Sequence, residues 1–424
     1  MPNVHVKSYG CSANTADAEI AKGVLIEDGH ALVDTPEEAD INIIVTCVVK
    51  TPTEQKISRE LRELEASGKP LIVAGCMPKS MNSRVNQLVP SASMVGPDDI
   101  ERMAEAVHHA LNGKKVNYIN GEPTDRTCLP RVRANNLVHI APISTGCLGN
   151  CSYCIVKFAR GNLCSFPAEK IIKDITDAVA DGCLEVWVTA EDTALYNHDG
   201  IRLPELLNMI TAVEGEFRVR VGMTTPNSLD EIMDELIASL DHEKMYKFIH
   251  IPIQAGNDEI LHSMRRKYTL KEFKEVANKL RAAYPEIGIS TDIICGFPGE
   301  TEEQFQDSLD LVTWLRPDVL NINRFWERPG TDAATMPGRL HGRDTKQRSR
   351  RMTNLWKELA VEVGERWLGW EGEILLTEDG KNDTKVGRNY VYKTVAVKTD
   401  APLGSFIRVK VKGAGVGFLT GDQV

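Results

Sequence analysis

Residues 137–161 read LVHIAPISTGCLGNCSYCIVKFARG, and the reading of this stretch decides the fold. Its first part is rich in Val, Ile and Ala, as expected of a short buried strand. Three cysteines follow at once: Cys147, Cys151 and Cys154, in the spacing C-x3-C-x2-C. They therefore fall on the loop at the C-terminal end of that strand, where one loop can wrap three thiolates around a small inorganic core. Three thiolates do not complete a four-iron cluster, which usually takes four cysteines, so one iron stays open to an incoming ligand. Structural zinc sites want a fourth Cys or His close by. Cys164, ten residues after Cys154, leaves that alternative open on spacing alone.

Downstream, strand-like and helix-like segments alternate. The strand candidates are LVHIAPIS, EVWVTAE, FRVRVGM, KFIHIPIQ, GISTDIIC and VLNINRFW, separated by helical segments such as AEKIIKDITDAVADG and TEEQFQDSLDLVTWL. Such alternation predicts parallel βαβ units, here a partial (βα)6 barrel with its chemistry at the C-terminal strand ends. Upstream, NVHVKSY, INIIVT, LIVAG and ASMVG alternate with helical stretches in the same way and predict a βαβ open sheet. Residues 121–136, GEPTDRTCLPRVRANN, break the pattern and read as a linker. Residues 343–363 read as one charged helix. From about 365 onward, short β segments divided by Gly, Asp and Asn predict a small antiparallel β-barrel. The expected division is a first domain over 1–115, a core barrel over 133–363 and a C-terminal module over 364–424.

The chain has 424 residues, 42% of them hydrophobic, and a formal net charge of −10. This balance does not announce a nucleic-acid binder as a whole. No apolar run reaches the ~18 residues of a membrane helix, and the start lacks a signal-peptide core. The expectation is a cytoplasmic protein without membrane contact, in which the ten cysteines are reduced and clusters of them read as metal ligands rather than disulfides.

Three further cysteines share one placement. Cys11 follows NVHVKSYG, Cys47 follows INIIVT and Cys76 follows LIVAG. In a parallel sheet these ends lie along one edge, where open α/β sheets bind ligands. A lone cysteine of this kind is ordinarily a small core residue, but three in the same position relative to three strands point to a second site. Cys128, Cys164, Cys183 and Cys295 show no such pattern.

CLGNCSYC on the first strand of a six-stranded partial barrel resembles the radical S-adenosylmethionine superfamily. The resemblance implies a [4Fe–4S] cluster on Cys147, Cys151 and Cys154, with S-adenosyl-L-methionine on the open iron, and it places Tyr153 near the adenine. YGCSANTADAE, VTCVVKTPTEQK and AGCMP, together with HIPIQAGNDEILHSMRRKYT, TDIICGFPGETEEQF and NINRFWERPGTDAA, resemble the methylthiotransferase family over essentially the whole chain, including a TRAM-like C-terminal barrel. This implies a second [4Fe–4S] cluster on Cys11, Cys47 and Cys76. It also implies two S-adenosyl-L-methionine molecules per turnover, and a reduced ferredoxin or flavodoxin-type electron donor. The sulfur donor is not visible. Glu191 and Asp192 after the second barrel strand, Gln254 after the fourth and Arg324 in the sixth are candidates to hold the cofactor, each with a plain reading as a surface or barrel-layer residue. GFPGE, 296–300, resembles a family loop near the cofactor or is a turn in which Glu300 or Thr301 caps a helix.

Between Lys381 and Lys412 stand eight Lys/Arg against Asp383 and Asp400. With Tyr390, Tyr392 and Phe406 interleaved, this predicts a face for RNA backbone and bases, extended by 265–267 and 348–351. AEDTALYNHDG looks most like the archaeal and eukaryotic branch of the family, which acts on N6-threonylcarbamoyladenosine at tRNA position 37. The isopentenyladenosine branch, a ribosomal-protein aspartate and a non-catalytic zinc-stabilised RNA-binding protein are the alternatives.

Overall fold

Apolar strands with no hydrophilic alternation need cover on both faces, and the N-terminal sheet has it. In a computed structural model describing residues 1–424, strands β1 (Asn3–Ser8), β2 (Ala31–Val33), β3 (Ile41–Thr46), β4 (Leu71–Gly75), β5 (Ser93–Val95) and β6 (Asn117–Tyr118) form one sheet. Its order is β2-β1-β3-β4-β5-β6, with every pairing parallel. The edge strands β2 and β6 are additions to the expected four. At three and two residues they are too short to carry a periodic signal. The helix Ser12–Glu27 packs on one face and buries polar Asn14, Asp17 and Glu19 along with its apolar residues.

The six expected barrel strands are all present: β7 (Val138–Pro142), β8 (Glu185–Thr189), β9 (Arg218–Val221), β10 (Phe248–His250), β11 (Gly288–Cys295) and β12 (Val319–Arg324). They run parallel in sequence order. Two isolated bridges, Val219 to Met245 and Met223 to His250, join β9 to β10. β7 and β12 do not pair, so the barrel stays open. One apolar cluster fills it, from Ala141 and Ile143 through Leu311 and Leu359.

Residues 121–136 are irregular, as expected of a linker, but they are not loose. Arg126 and Thr127 are buried, and Arg131 reaches Asp174 at 3.0 Å. After the helix Gly342–Glu365, strands β13 (Glu371–Asp379), β14 (Lys385–Arg388), β15 (Thr394–Lys398), β16 (Phe406–Ala414) and β17 (Leu419–Gln423) close into a barrel. Four of its pairings are antiparallel. The fifth, β15 with β17, is parallel, a departure from a purely antiparallel barrel. Register shifts at Leu376/Glu378 and Val411/Gly413 supply the bulges that let five strands curl shut.

The three units meet in a definite way. The C-terminal edge of the first sheet faces the C-terminal ends of the barrel strands, with Ser12 Oγ 3.1 Å from Thr189 Oγ1. The small barrel docks at the other end. Tyr392 Oη donates to Glu185 Oε1 at the start of β8 (3.1 Å), and Lys393 Nζ pairs with buried Asp318 just before β12 (3.0 Å). No helix is long and apolar enough to cross a membrane.

Candidate active site

The cysteine loop is held by its neighbours rather than by regular structure. Gly146 has φ +77, and a Cβ there would stand 2.0 Å from the Asn162 carbonyl oxygen, so only glycine fits. Ser152 N–H donates to the Met264 carbonyl (3.0 Å) and Ala333 N–H donates to the Ser152 carbonyl (2.9 Å). Cys147 Sγ accepts from Gly149 N–H (3.1 Å). Cys151 Sγ accepts from Arg266 Nη1 (3.2 Å). Burial, aided by the neighbouring thiols, pushes Cys154 up to about 11. Burial likewise raises Cys147, with Asp192, Cys151 and Glu191 adding to it. Such thiols ionise when a metal takes the proton's place, so binding and proton release are coupled.

Arg266 is the informative neighbour. Its other donors go to Tyr268 Oη (2.7 Å) and the Pro252 carbonyl (3.3 Å), and no carboxylate pairs with it. A cation against a cysteine sulfur, with no other counter-ion, fits a thiolate-ligated cluster. Tyr153 packs against the barrel core. Cys164 pairs with Thr145, and its charged neighbours are Asp125, Arg126 and Asp98 rather than the thiols of the triplet.

Cys11, Cys47 and Cys76 do converge. A Cβ on Gly10, whose φ is +127, would lie 2.9 Å from Cys47 Cβ, so the turn before Cys11 passes directly over Cys47. Cys76 Sγ lies 3.5 Å from Asn14 Oδ1. Burial pushes Cys76 up to about 12, with Cys11 and Cys47 adding and Arg160 opposing. Cys11 is exposed, while Cys47 and Cys76 are buried.

Between the two cysteine sets runs a buried charge network. Arg160 comes from the short helix Val156–Arg160 that follows the triplet. Its Nη2 donates to Asp17 Oδ2 (2.6 Å) and Asn14 Oδ1 (2.9 Å), and Nε lies 3.8 Å from Glu191 Oε1. Arg126 closes the other side, donating to Asp17 Oδ1 (2.6 Å) and Thr145 Oγ1 (2.8 Å). Ile155 and Ala159 of the same segment bury into the N-terminal core. One helix thus joins the two sites.

Of the other candidates, Glu191 lies in this interdomain cavity with Asp17, Arg126, Arg160 and Thr145. Burial raises its carboxyl, and its Oε2 has no hydrogen-bond partner. Asp192 is occupied by Thr225 Oγ1 (2.6 Å) and Ser228 Oγ (3.0 Å). Gln254 is buried at φ +76, a strained conformation for a non-glycine residue. Arg324 stands apart, its guanidinium 4.7 Å from the Trp326 ring centre, in a cleft with Gly296, Arg339 and His341. The GFPGE turn resolves clearly: Thr301 Oγ1 accepts from Gln304 N–H in a capping box. Glu300 instead accepts from Gly296 N–H (2.8 Å) and Arg348 Nη1 (2.6 Å).

The basic face is smaller than its count. Lys393 is buried on Asp318, Arg388 pairs with Glu378, Lys410 with Glu371 and Lys412 with Asp422. Tyr392 is used in docking. Arg265 pairs with Asp332, Arg348 with Glu300 and Arg351 with Glu302. Lys381, Lys398 and Arg408 remain exposed without an acidic partner.

The Radical SAM superfamily model matches residues 141–312, and the model described as Uncharacterized protein family UPF0004 matches residues 3–96. A solved radical S-adenosylmethionine methyltransferase, TsrM from Kitasatospora setae, shares the fold. Its TM-score is 0.58 at 15% identity, over 78% of this chain and 77% of that one. Fold and cysteine loop together define a radical S-adenosylmethionine enzyme, a class that works with a [4Fe–4S] cluster and S-adenosylmethionine. Full-length relatives narrow the class. A probable threonylcarbamoyladenosine tRNA methylthiotransferase from Pyrococcus horikoshii is 39% identical over 100% of both chains. One from Archaeoglobus fulgidus is 38% identical over 99% of this chain and 98% of its own. The Xenopus laevis threonylcarbamoyladenosine tRNA methylthiotransferase is 34% identical over 99% of this chain and 77% of its own. The chain belongs to the threonylcarbamoyladenosine tRNA methylthiotransferase family.

Proposed function

We propose that this enzyme places S–CH3 on C2 of N6-threonylcarbamoyladenosine at tRNA position 37, using two [4Fe–4S] clusters. Cys147, Cys151 and Cys154 hold the first; Cys11, Cys47 and Cys76 hold the second. The observation that carries the reading is the convergence of the three N-terminal cysteines on the sheet edge that faces the triplet, with Arg160 between the sets. The target C–H has no useful acidity, so a general base cannot open it. When bound, the first cluster with S-adenosylmethionine would supply the radical, the second would hold or present sulfur from a separate donor, and a second S-adenosylmethionine would supply the methyl group.

The residues of the chain bind, orient and shield. Tyr153 walls the first site, and Glu191, Asp192, Gln254 and Arg324 are assigned to cofactor contact at the strand ends. Among these, Glu191 is supported best, by its unpartnered oxygen facing the interdomain cavity. Arg160 and Arg126 hold Asp17 and so fix the distance between the sites. Lys381, Lys398 and Arg408 are assigned to the tRNA backbone. The working division is 1–115, 133–363 and 364–424, the setting is the cytoplasm, and the electron donor is a reduced ferredoxin or flavodoxin-type protein.

Mass spectrometry of tRNA nucleosides from a deletion strain, complemented with variants, tests the reading. Wild type restores the methylthio nucleoside; Cys147→Ala and Cys11→Ala do not. In vitro, Cys147→Ala also loses reductive cleavage of S-adenosylmethionine, whereas Cys11→Ala keeps some of it. Anaerobically reconstituted wild type carries about eight iron atoms per chain, the content of two cubes. About four iron atoms, or equal loss of cleavage in both variants, overturns the two-cluster assignment.

A further inference from the structure

His30 is only 5% exposed, yet neither of its ring nitrogens has a hydrogen-bond partner. Buried polar atoms are ordinarily paired, and each exception calls for an explanation. Nε2 of His30 lies 3.0 Å from Asp28 Oδ2, without hydrogen-bond alignment. His108 Nε2 lies 2.7 Å from the same oxygen. The donor atoms of all three residues fall within 4.8 Å of one another, and the two imidazoles stand 5.3 Å apart.

We propose that Asp28, His30 and His108 form a divalent transition-metal site, best suited to zinc. Two imidazoles and one carboxylate are a borderline donor set. Calcium and magnesium prefer all-oxygen shells, whereas zinc takes N and O ligands tetrahedrally. Bonds of about 2 Å place tetrahedral ligand atoms roughly 3.3 Å apart, so the observed spacing needs only small rotations. Water completes the fourth position through the open side, where His108 is 58% exposed.

The backbone prepares the site. Asp28 caps the C-terminus of the helix Ser12–Glu27, and His108 lies in the last turn of the helix Met103–Leu111. Both helices bring the negative ends of their dipoles to the same place, which favours a cation. Gly29, at φ +88, turns the chain so that Gly29 N–H reaches the Ile26 carbonyl (3.0 Å) and His30 N–H the Leu25 carbonyl (2.9 Å). Asp28 and His30 are thereby set on the two sides of one tight turn.

This site does no sulfur chemistry. It lies at the far end of the helix that begins after Cys11, about 24 Å away for 16 residues. Its work is mechanical: the metal clips that helix to the helix Met103–Leu111, and so steadies Asn14 and Asp17 beneath the N-terminal cysteines.

The test uses the full-length, iron-reconstituted protein, so that iron occupies the cluster cysteines, and titrates it with zinc chloride by calorimetry. Wild type takes up one zinc per chain, and its melting temperature rises. In His108→Ala, zinc affinity falls at least about tenfold and the melting shift disappears, with iron content unchanged. His108 is exposed, so this variant folds; His30→Gln gives the same loss. Equal zinc affinity in wild type and His108→Ala, or no zinc beyond background in wild type, overturns the proposal.

Discussion

Arg266 carries a half-buried positive charge without a carboxylate partner and donates to the sulfur of Cys151, 3.2 Å away. Hydrogen bonds and positive charge at a cluster sulfur stabilise the reduced state and raise its potential. Arg266→Ala therefore lowers the midpoint potential of the first cluster, and Arg266→Lys, which keeps the charge but loses the planar fork, lowers it less. A redox titration followed by electron paramagnetic resonance, in a background with Cys11, Cys47 and Cys76 changed to Ala, checks this; an unmoved potential removes Arg266 from the site. Arg160 is a different case, because its partners are protein carboxylates. Asp17 is held by Arg160 and Arg126 together, and all three are buried. Removing one member of a buried ion network costs about 3–5 kcal/mol, because the remaining charge is left uncompensated. Asp17→Asn should destabilise by that order in urea denaturation, because Asp17 is the carboxylate that both arginines hydrogen-bond. Arg160→Ala, which leaves Asp17 on Arg126, should cost less, and less again in the Asp17→Asn background. A purely additive double variant would refute the coupling.

At the scale of elements, the cysteines of the N-terminal set are placed by the turns that follow their strands. β1 ends at Ser8, and the chain must cross Cys47 before entering the helix at Ser12. Gly10 makes that crossing at φ +127, with Asn14 Nδ2 only 2.7 Å from where a Cβ would sit. Gly10→Ala should displace Cys11 and halve the iron retained after reconstitution, leaving the triplet's share intact; full iron content would show that the turn is tolerant. The cysteines were legible in the sequence because each follows its strand directly, and strand ends of a parallel sheet share an edge. The residues that link them were not. Arg160 meets Asp17 across 143 positions of chain, and Arg266 meets Cys151 across 115; no local pattern marks such pairings. The triplet RRK therefore reads as a surface patch, although Arg265 pairs with Asp332 and Arg266 turns inward. The linker was misleading for the same reason, since its arginines find their carboxylates on distant elements. One of these contacts has a pH signature. His139 of β7 lies 3.1 Å from Asp174 beside Arg131, and burial holds its imidazole below the ordinary 6.5, against the opposing pull of Asp174. Below that value the unfolded chain takes up a proton that the folded state refuses, so stability falls as pH drops from about 7 to below 6.5. Thermal melts over this range should show the decline, and His139→Gln should flatten it.

At the scale of the whole molecule, the two ends of the open barrel have separate tasks. Its C-terminal ends face the N-terminal sheet, and the two cysteine sets lie one on each side of that junction. Its N-terminal ends carry the small closed barrel, seated on Tyr392. The Tyr392 ring packs on Tyr246 at 4.8 Å and Phe248 at 5.1 Å between centres, and Arg220 lies over it at 5.3 Å. β11 alone spans eight residues, about 26 Å of extended chain, so the small barrel stands a full strand length from the chemistry. On the proposed reading it lies too far away to read the modified base and holds a more distant part of the tRNA. Its value then depends on a fixed seat. Tyr392→Ala removes the aromatic anchor at a cost of about 3 kcal/mol to docking, and frees the module to swing on its connection. With full-length tRNA, KM should rise severalfold at unchanged kcat, because only binding spread over both ends of the barrel is lost. With an anticodon stem-loop too short to reach the module, the variant and wild type should have the same KM. A matching KM defect on the short substrate would mean that the docking seat itself shapes the active site, and the separation of tasks between the two ends would fail.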